Sequence, residues 1–411
     1  MLLNATTQPA SPHPGLSFRE FVGLIAALMA TNALAIDTML PALPAIGAAL
    51  KIATANQQQW IVTAYLLGFG AAQIIYGTFS DRFGRKPVLM FGLAVYALGS
   101  LVSAFAPSFT VLLISRVIQG ICAAAPRVIA TAMVRDCYGG RQMARVLSLA
   151  FIVFLAVPIA APSLGQLILM AGPWPWIFDA LAGFALIVML WAFLRLPETL
   201  HAEDRMPIRF ARIGQALRLI LGTRVAVGYI LAMTLMIGAL FGFLNSAQQI
   251  FATVFHAEAL FPAIFGLTAL GMAMASILNA RIVVKVGMRR VSHSALIGFV
   301  GCTFLHLAVL LVGQETLLSF AAIQFATMFC FGLVASNFSA LSMEPLGHVA
   351  GTASSVQGFA TTLGGAVLGF LIGQQFNGTA LPLILGFAGL SSGALILVLI
   401  TEKGRLFHSA P

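Results

Sequence analysis

Long apolar runs separated by short polar gaps make up most of the chain. About twelve such runs occur. Each is long enough to cross a hydrocarbon core of roughly 30 Å as a helix. One run alone is also typical of a buried core helix, but the chain has too little polar sequence to cover them all. The pattern therefore predicts an all-α integral membrane protein with twelve transmembrane helices. The predicted spans are 18–40, 57–78, 87–106, 109–134, 143–169, 174–195, 225–250, 259–283, 291–312, 316–340, 349–374 and 380–400.

Basic residues fall in alternate gaps between these spans. The even-numbered gaps are rich in Lys and Arg, whereas the odd-numbered gaps contain only Lys51. Because cytoplasmic loops carry an excess of Lys and Arg, the basic gaps and both termini are predicted to face the cytoplasm. The basic residues behind this prediction are Arg82, Arg85, Lys86, Arg135, Arg141, Arg145, those in the stretch 195–224, Arg281, Lys285, Arg289 and Arg290.

The composition agrees with this class of protein. Only 8% of the residues are charged, a small share when charged residues make up about 25% of a typical soluble protein. The net charge of +10 mostly reflects topology, and nucleic-acid binding is excluded because the basic residues alternate with spans. The four cysteines are scattered, so neither a disulfide framework nor a metal site is indicated, and no cofactor is expected. Residues 1–17 are predicted to be a disordered lead, followed by a retained first span rather than a signal peptide.

An unusual concentration of charge occurs in GTFSDRFGRKP, residues 77–87. Gly77 would let a neighbouring helix approach closely, and Gly84 would permit a turn too tight for a side chain. Asp81 is expected to accept from the N-terminus of an adjacent helix or to pair with a nearby Arg. Topology anchors alone need only Arg and Lys, so the combination predicts a clasp between helices.

A weak internal repeat divides the chain near its middle. A shift of 203 residues places Gly84 on Gly287, within ARIVVKVGMRR at 280–290, although Asp81 falls on Val284. Two six-span halves are typical of transporters built from repeats. The predicted organisation is a lead at 1–17, six-helix bundles at 18–195 and 225–400, a cytoplasmic linker at 196–224, and a tail at 401–411.

Several motifs resemble those of one family of transporters. GTFSDRFGRK resembles the loop signature of the major facilitator superfamily, and RVIQG at 116–120 resembles its R-x-x-Q-G motif. DTMLPALPAI at 37–46, APSLG at 161–165 and AGTASS at 350–355 resemble the Bcr/CflA group of drug/proton antiporters. The resemblance implies two pseudo-symmetric six-helix bundles around a central cavity that opens alternately to each side.

The resemblance also implies roles for the motif residues. The antiporter-like motif in span 5 comprises Pro158, Pro162 and Gly165, and it departs from the usual G-P-x-x-G-G pattern at Ala161 and Gln166. The loop signature would stabilise the outward-facing state by holding spans 2 and 11 together. The residues that carry this clasp role are Gly77, Asp81, Arg82, Gly84, Arg85 and Lys86.

Few ionisable residues lie inside the predicted spans, where a charge costs about 2.5–3.5 kcal/mol on insertion scales. Asp37 lies in the outer half of span 1, and Arg116 lies at comparable depth in span 4. We expect Asp37 to be the proton-coupling carboxylate, since an apolar cavity favours its protonated form and a nearby cation its ionised form. The alternative is that Asp37 and Arg116 only tie spans 1 and 4 together.

A second arginine lies on the same face of span 4. Arg127 follows Arg116, and about 11 steps of ~100° return a helix to within about 20° of the same face. Either Arg127 snorkels to the cytoplasmic surface, or it leaves a positive field in the cavity that favours neutral or anionic substrates. The other predicted cavity residues are amide and aromatic side chains at mid-membrane depth: Asn32, Tyr65, Phe69, Gln73, Gln119, Phe241, Asn245, Gln248, Asn337 and Gln357.

The leading functional prediction is proton-driven secondary active efflux of small drug-like compounds across a bacterial inner membrane by alternating access. The alternative is proton-coupled uptake of a small metabolite, and a membrane-embedded enzyme is a third reading. The sequence contains no catalytic constellation and no G-x-x-x-x-G-K-[ST] loop, so neither enzymatic activity nor an ATP motor is expected. The expected partners are the drug-like substrate, protons and the lipid bilayer, with the protein acting as a monomer.

Overall fold

The computed structural model describes residues 16–138, 140–205 and 210–407. Twelve long helices fill these ranges, and we number them in chain order. They are α1 (Phe18–Asp37), α2 (Trp60–Phe83), α3 (Arg85–Ala104), α4 (Phe109–Cys137), α5 (Gly140–Ala171), α6 (Pro175–Arg195), α7 (Arg224–Gln249), α8 (Phe261–Val286), α9 (Met288–Leu311), α10 (Leu317–Met343), α11 (Ala350–Gln374) and α12 (Leu381–Thr401).

The helices agree with the predicted all-α membrane class. Among the described residues, eleven of them, with their short extensions, are long and apolar enough to cross a membrane. In α5 the apolar stretch found among the described residues is the shorter Ala156–Ala171, although the helix itself has 32 residues. No strand occurs within the described ranges. The apolar pattern therefore predicted the long helices of the described chain.

The charged stretch at 79–86 is more helical than its sequence predicts. We expected span 2 to end at 78 and span 3 to begin at 87, yet α2 continues to Phe83 and α3 begins at Arg85. Only Gly84 interrupts the helices, with φ 99°, which confirms the predicted tight turn. Helices extend beyond the apolar core where a single glycine can make the turn, so charged residues here occupy helical positions.

The two halves of the chain form the two predicted bundles. Within the first half α2 packs on α4, α3 on α4 and α6, and α1 on α5. Within the second half α7 packs on α11 and α12, and α10 on α8 and α9. The main contacts between the halves are α2 with α11 and α5 with α8. Two helix pairs thus form most of the contact between the two bundles.

Close backbone approach characterises the α2–α11 pair. A Cβ added to Gly70 would lie 2.9 Å from the Leu363 nitrogen, and one added to Gly77 would lie 3.3 Å from the Ser355 hydroxyl oxygen. The Gln73 amide nitrogen donates to the Thr362 hydroxyl oxygen at 2.9 Å. Small residues permit this approach, as the sequence predicts for Gly77.

One segment outside the bundles contains structure that the sequence did not indicate. The stretch 196–224, predicted only as a polar linker, contains an additional helix, Phe210–Gly222. The predicted disordered lead 1–17 lies almost entirely outside the described residues. The tail beyond α12 is described as far as Phe407, which packs edge-on against the ring of His293 on α9. The bundle boundaries at 18–195 and 225–400 remain predictions.

Candidate functional site

Asp37 is the last residue of α1 and is 6% exposed. Pro41 and Pro44 follow it, and their rings and missing N–H groups interrupt the regular α-helix. A 3-10 helix at Leu40–Ala42 and a short α-helix at Leu43–Ala49 come next. Within the part of the chain that the structure describes, the carboxylate has no hydrogen bond and no ion pair. A buried charge without a partner is costly, and such residues within spans usually serve a transport or proton pathway.

Arg116 is fully buried and is bound by backbone carbonyls rather than by Asp37. Its Nε donates to the Ile61 carbonyl and its Nη2 to the Ala35 carbonyl, each at 3.1 Å. Its guanidinium lies 4.4 Å from the centre of the Tyr65 ring. Arg116 therefore ties α4 to α1 and α2, and no Asp37–Arg116 ion pair exists among the described residues.

Side chains of α1 and α2 meet close to this point. The Tyr65 hydroxyl donates to the Asn32 side-chain oxygen at 2.9 Å, and the Tyr65 and Phe69 rings are parallel with centres 6.3 Å apart. A Cβ at Gly120 would meet the Tyr65 carbonyl, so glycine is what allows α4 to reach α2. Three of the predicted cavity residues are thus brought together near Arg116.

The predicted antiporter-like motif lies where α5 meets the end of α1. A Cβ at Gly165 would collide with the carbonyl of Thr38, the residue after Asp37. Earlier in α5, the Ile159 carbonyl lies 2.8 Å from where a Cβ on Gly266 of α8 would be. Both prolines of the motif, Pro158 and Pro162, lie inside the helix. This part of α5 therefore contacts the end of α1 next to Asp37 and, through Ile159, also contacts α8 of the other bundle.

A second polar group without a partner lies next to Asp37. The buried Thr38 hydroxyl has no hydrogen bond to any described residue. Buried polar groups are usually hydrogen-bonded, and each exception calls for a reason. The end of α1 therefore carries two buried polar groups without a hydrogen-bond partner among the described residues, at adjacent positions.

Other predicted cavity residues lie at the junction of the bundles. Gln73 bonds to Thr362 as described above, and the Thr63 hydroxyl donates to the Asn245 side-chain oxygen at 3.4 Å. Phe241 instead packs against Gly369 of α11 within the second half, where a Cβ would overlap its side chain, and Gln248 is buried on α7. Gln73 and Asn245 therefore form hydrogen bonds between the two halves.

Three predicted cavity residues instead bond to helices of their own half. Gln119 donates to the Ser100 hydroxyl at 2.6 Å, between α3 and α4. In the second half Asn337 donates to the Asn279 side-chain oxygen at 2.7 Å, and Gln357 to the Ser339 hydroxyl at 3.2 Å.

Arg127 is partly buried on α4, directly after Pro126. Depth along a span was predictable from sequence, whereas the direction of each side chain was not.

Sequence reasoning missed a cluster of four amides that joins the bundles. We call it the amide cluster: Asn56, Gln59, Gln249 and Gln374. Gln59 donates to the Gln249 oxygen at 2.7 Å and Asn56 to the Gln374 carbonyl at 3.1 Å. Gln374 in turn donates to the Asn56 carbonyl at 2.7 Å and to the Gln59 oxygen at 3.1 Å. These neutral hydrogen bonds close the end of the molecule away from the basic loops. The glutamine runs at 57–59, 248–249 and 374–375 were the available signal.

The charged stretch at the other end, which we call the basic end, is bound mainly within the first half. Arg85 is buried and pairs with Asp81 at 2.5 Å and with Asp136 at 2.8 Å. The Glu198 carboxylate accepts the backbone N–H groups of Arg85 and Lys86 at 2.9 and 3.1 Å. The predicted Asp81–Arg pairing is therefore present, but the helix N-terminus is capped by Glu198 instead.

The predicted clasp residues thus have partners that the sequence did not indicate. Asp136 lies at the end of α4 and Glu198 follows α6, so the charges join α2, α3 and α4 to the segment after α6. Lys86 donates to the Phe193 carbonyl of α6 at 2.8 Å, while Arg82 is exposed. Contact with α11 runs through Gly77 and Ser355. A role of this stretch in holding α2 and α11 together remains a prediction.

The described residues contain neither a metal site nor a disulfide. Across residues 16–138, 140–205 and 210–407 no group of three or more His, Cys, Asp or Glu side chains is arranged to hold a metal ion. The four cysteines are free thiols. The candidate chemistry therefore rests on the buried carboxyl of Asp37 and the surrounding polar groups.

Comparison with known proteins identifies the family. The family model of the Major Facilitator Superfamily matches residues 25–369. The chain belongs to the major facilitator superfamily. It is 30% identical over 354 residues to a bicyclomycin resistance protein homolog of Haemophilus influenzae, covering 85% of this chain and 87% of that protein. This similarity confirms the resemblance to transporters of the Bcr/CflA type.

Further relatives and solved structures agree with this assignment. The chain is 29% identical to the uncharacterized MFS-type transporter YdgK of Bacillus subtilis, over 90% of this chain and 91% of that one. It is 36% identical to the multidrug resistance protein MdtL of Shewanella oneidensis over 164 residues, 40% of this chain and 41% of that protein. The structure of a D-xylose–proton symporter matches with a TM-score of 0.72 and 15% identity, over 95% of this chain and 100% of that one. The last match shows the shared fold.

Proposed function

We propose that this transporter exports small drug-like compounds across a bacterial inner membrane in exchange for protons. Support for the substrate class comes from the relative named as a bicyclomycin resistance protein homolog, which is similar along nearly the whole chain. Similarity to a multidrug resistance protein over 40% of the chain supports the same class. The positive-inside pattern supports an orientation with the basic end and both termini in the cytoplasm.

The observation that carries the proton coupling is the buried Asp37 carboxyl without a protein partner among the described residues. Asp37 is buried while the amide cluster is formed, and burial favours the neutral form of a carboxyl group. Opening the amide cluster would separate α2 from α7 and α11 and admit water and protons from outside. Reclosure would then bury a protonated Asp37, whose proton leaves when the cavity opens to the cytoplasm. If drug and proton bind in turn to the same region, each occupies it while the other is absent. The drug then moves outward as the protons move inward.

Arg116 has a positioning role in this proposal. It donates to carbonyls of both α1 and α2 at 3.1 Å, and so it fixes α4 relative to the helix that carries Asp37. Its charge remains in the same bundle as the carboxyl throughout the cycle. We therefore expect it to moderate the charge change at Asp37 without itself exchanging protons.

The test is transport by Asp37→Asn in vesicles reconstituted with purified protein. The amide cannot carry a dissociable proton, so we expect uphill drug transport driven by a pH gradient to fall to background while downhill exchange persists. Asp179→Asn provides a matched control, because Asp179 is a partly buried acid on α6. Uphill transport at the wild-type rate by Asp37→Asn would show that another group couples the proton.

The direction of transport distinguishes the proposal from the uptake alternative. An exporter lowers drug susceptibility when it is overproduced, whereas a symporter supports growth on a sole nutrient. In vesicles, drug movement against an inward proton flux supports exchange. Movement of a metabolite with the protons would instead support uptake.

A further inference from the structure

Two grooves lie at the basic end, at equivalent positions in the two halves. The first, about 430 Å³, lies between α2, α3 and α4, and the second, about 520 Å³, lies between α8, α9 and α10. The shift of 203 residues places Phe79 of the first groove on Ile282 of the second. The same shift places Phe83 on Val286. The internal repeat has therefore duplicated a membrane-facing groove, and the two copies can be compared position by position.

The two copies differ in chemistry at two positions. Pro87 and Phe91 line the first groove, and the repeat places Arg290 and Ser294 at these positions in the second. Arg290 and Ser294 are four residues apart on α9, and therefore they lie on one face, one turn apart. Both are exposed. The second groove thus has a cation and a hydroxyl where its counterpart has only apolar side chains.

Arg290 and Ser294 of the second groove have hydrogen-bond donors that no described residue accepts. Arg290 donates from Nε to the Phe407 carbonyl at 3.1 Å, which fixes the side chain beside the groove. Its two terminal nitrogens and the Ser294 hydroxyl make no hydrogen bond to any residue that the structure describes. A planar guanidinium held in this way presents two parallel donors, the geometry that suits a phosphate group.

The walls and the local charge favour a lipid. Apolar side chains line the rest of the groove, among them Val291, Ala295 and Leu333. None of the described residues that line it is acidic. The carboxylates of Glu344 and Glu402, at the same end of the second half, are bound by the adjacent Arg289. Since Arg290 is the third residue of α9, it lies at the level where a membrane helix meets the headgroups, with the apolar wall deeper.

We propose that this groove binds an anionic phospholipid, with the phosphate on Arg290 and Ser294 and an acyl chain along the apolar wall. Basic pockets between helices on the cytoplasmic side of membrane proteins suit such lipids. The neighbouring Arg281 and Lys285 on α8 add to the positive potential. The first groove, without a cation at the matching position, takes acyl chains without preference for the headgroup.

The experiment uses the purified full chain in detergent, with lipid binding counted by native mass spectrometry. The probes are phosphatidylglycerol and phosphatidylcholine with identical acyl chains. Both headgroups carry a phosphate, but the choline cation compensates that charge in phosphatidylcholine, so beside Arg290 we expect phosphatidylglycerol to bind about tenfold more tightly. Arg290→Gln removes the charge that distinguishes the two lipids and is expected to abolish the preference. Ser294→Ala removes a neutral contact to the phosphate that both lipids share and is expected to weaken the binding of both about threefold.

The first groove supplies the matched control. Phe91→Ala, at the position equivalent to Ser294, is expected to leave the preference for phosphatidylglycerol unchanged. Equal binding of the two lipids by the wild-type protein would overturn the proposal, as would an undiminished preference in Arg290→Gln. Displacement of phosphatidylglycerol by millimolar inorganic phosphate would also overturn it, because the site would then recognise a free anion and not a lipid.

Discussion

Gly84 and Gly287 have nearly the same backbone angles, φ 99° and ψ 157° in the first half and φ 91° and ψ 146° in the second. Each is the single residue between two long helices at the basic end. The charges around them are arranged differently. The buried arginine of the first turn is Arg85, whereas the largely buried arginine of the second is Arg289, one position later in the repeat. Duplication has therefore preserved the turn and allowed its ionic contacts to diverge.

The difference between the two turns extends to their acidic partners. Asp81 pairs with Arg85, but the equivalent Val284 is 88% exposed. The N-terminus of α3 is capped by the Glu198 carboxylate, whereas the N-cap residue of α9 makes no side-chain cap. The backbone turn is required by the helix pair in both halves, while Asp81 and Glu198 are additions of the first half. We therefore expect Asp81 and Glu198 to have a role in transport in addition to any role in the fold.

The largest expected effect comes from removing the two buried arginines. Arg85→Ala leaves the mostly buried Asp136 without its main cation, and a broken buried pair costs about 3 kcal/mol. In Arg289→Ala the Glu402 carboxylate keeps the hydrogen bond from the Tyr229 hydroxyl at 2.6 Å, so the loss should be smaller. Thermal unfolding of the purified variants in detergent measures both. An equal or larger loss for Arg289→Ala would contradict the comparison.

The two glycines provide the next test. Alanine at a backbone conformation that is essentially reserved for glycine costs about 2 kcal/mol. A Cβ at Gly84 would also approach the Glu198 carboxylate, whereas no described atom lies within 4 Å of a Cβ at Gly287. Gly84→Ala should therefore lower the melting temperature more than Gly287→Ala does. Similar shifts would show that Glu198 moves aside without penalty.

The cap on α3 should have a moderate effect. Glu198→Ala removes an acceptor from two backbone N–H groups at a helix N-terminus, and such a loss costs about 1 kcal/mol. The rate of amide hydrogen exchange at Arg85 and Lys86 should rise in this variant, because their backbone N–H groups lose the carboxylate that accepts from them. Glu203→Ala, an exposed acid further along the same segment, is the control. Unchanged exchange in Glu198→Ala would argue against the cap.

The smallest effect on stability, and the most informative for function, concerns Asp81. Its side chain is 41% exposed. Because the Asp81 carboxylate is well solvated and Arg85 keeps its ion pair with Asp136, Asp81→Asn should change stability by about 0.5 kcal/mol or less. Transport should nevertheless fall if the charged stretch acts as a clasp between conformations. Val284→Asn tests the equivalent position of the second half and should leave transport unchanged. Normal transport by a well-expressed Asp81→Asn protein would count against the clasp.

The sequence by itself determined the features that depend on local physics. Hydrophobicity over about 20 residues specifies a spanning helix wherever it occurs. The twelve long helices of the described chain follow from it. A positive φ favours glycine regardless of the surroundings, so the turn at Gly84 could be predicted from its motif. The superfamily was equally accessible, because its signature lies in one contiguous stretch.

Only the tertiary structure decided which partner each polar side chain takes. Asn56 and Gln374 meet although they are 318 positions apart in the chain. Arg116 donates to the carbonyls of Ala35 and Ile61 and not to the carboxylate of Asp37. Depth in the membrane follows from position along a span, but the direction of a side chain depends on how rigid helices pack. Hydrogen-bond partners distant in the chain are set by that packing, and no periodicity in the sequence encodes them.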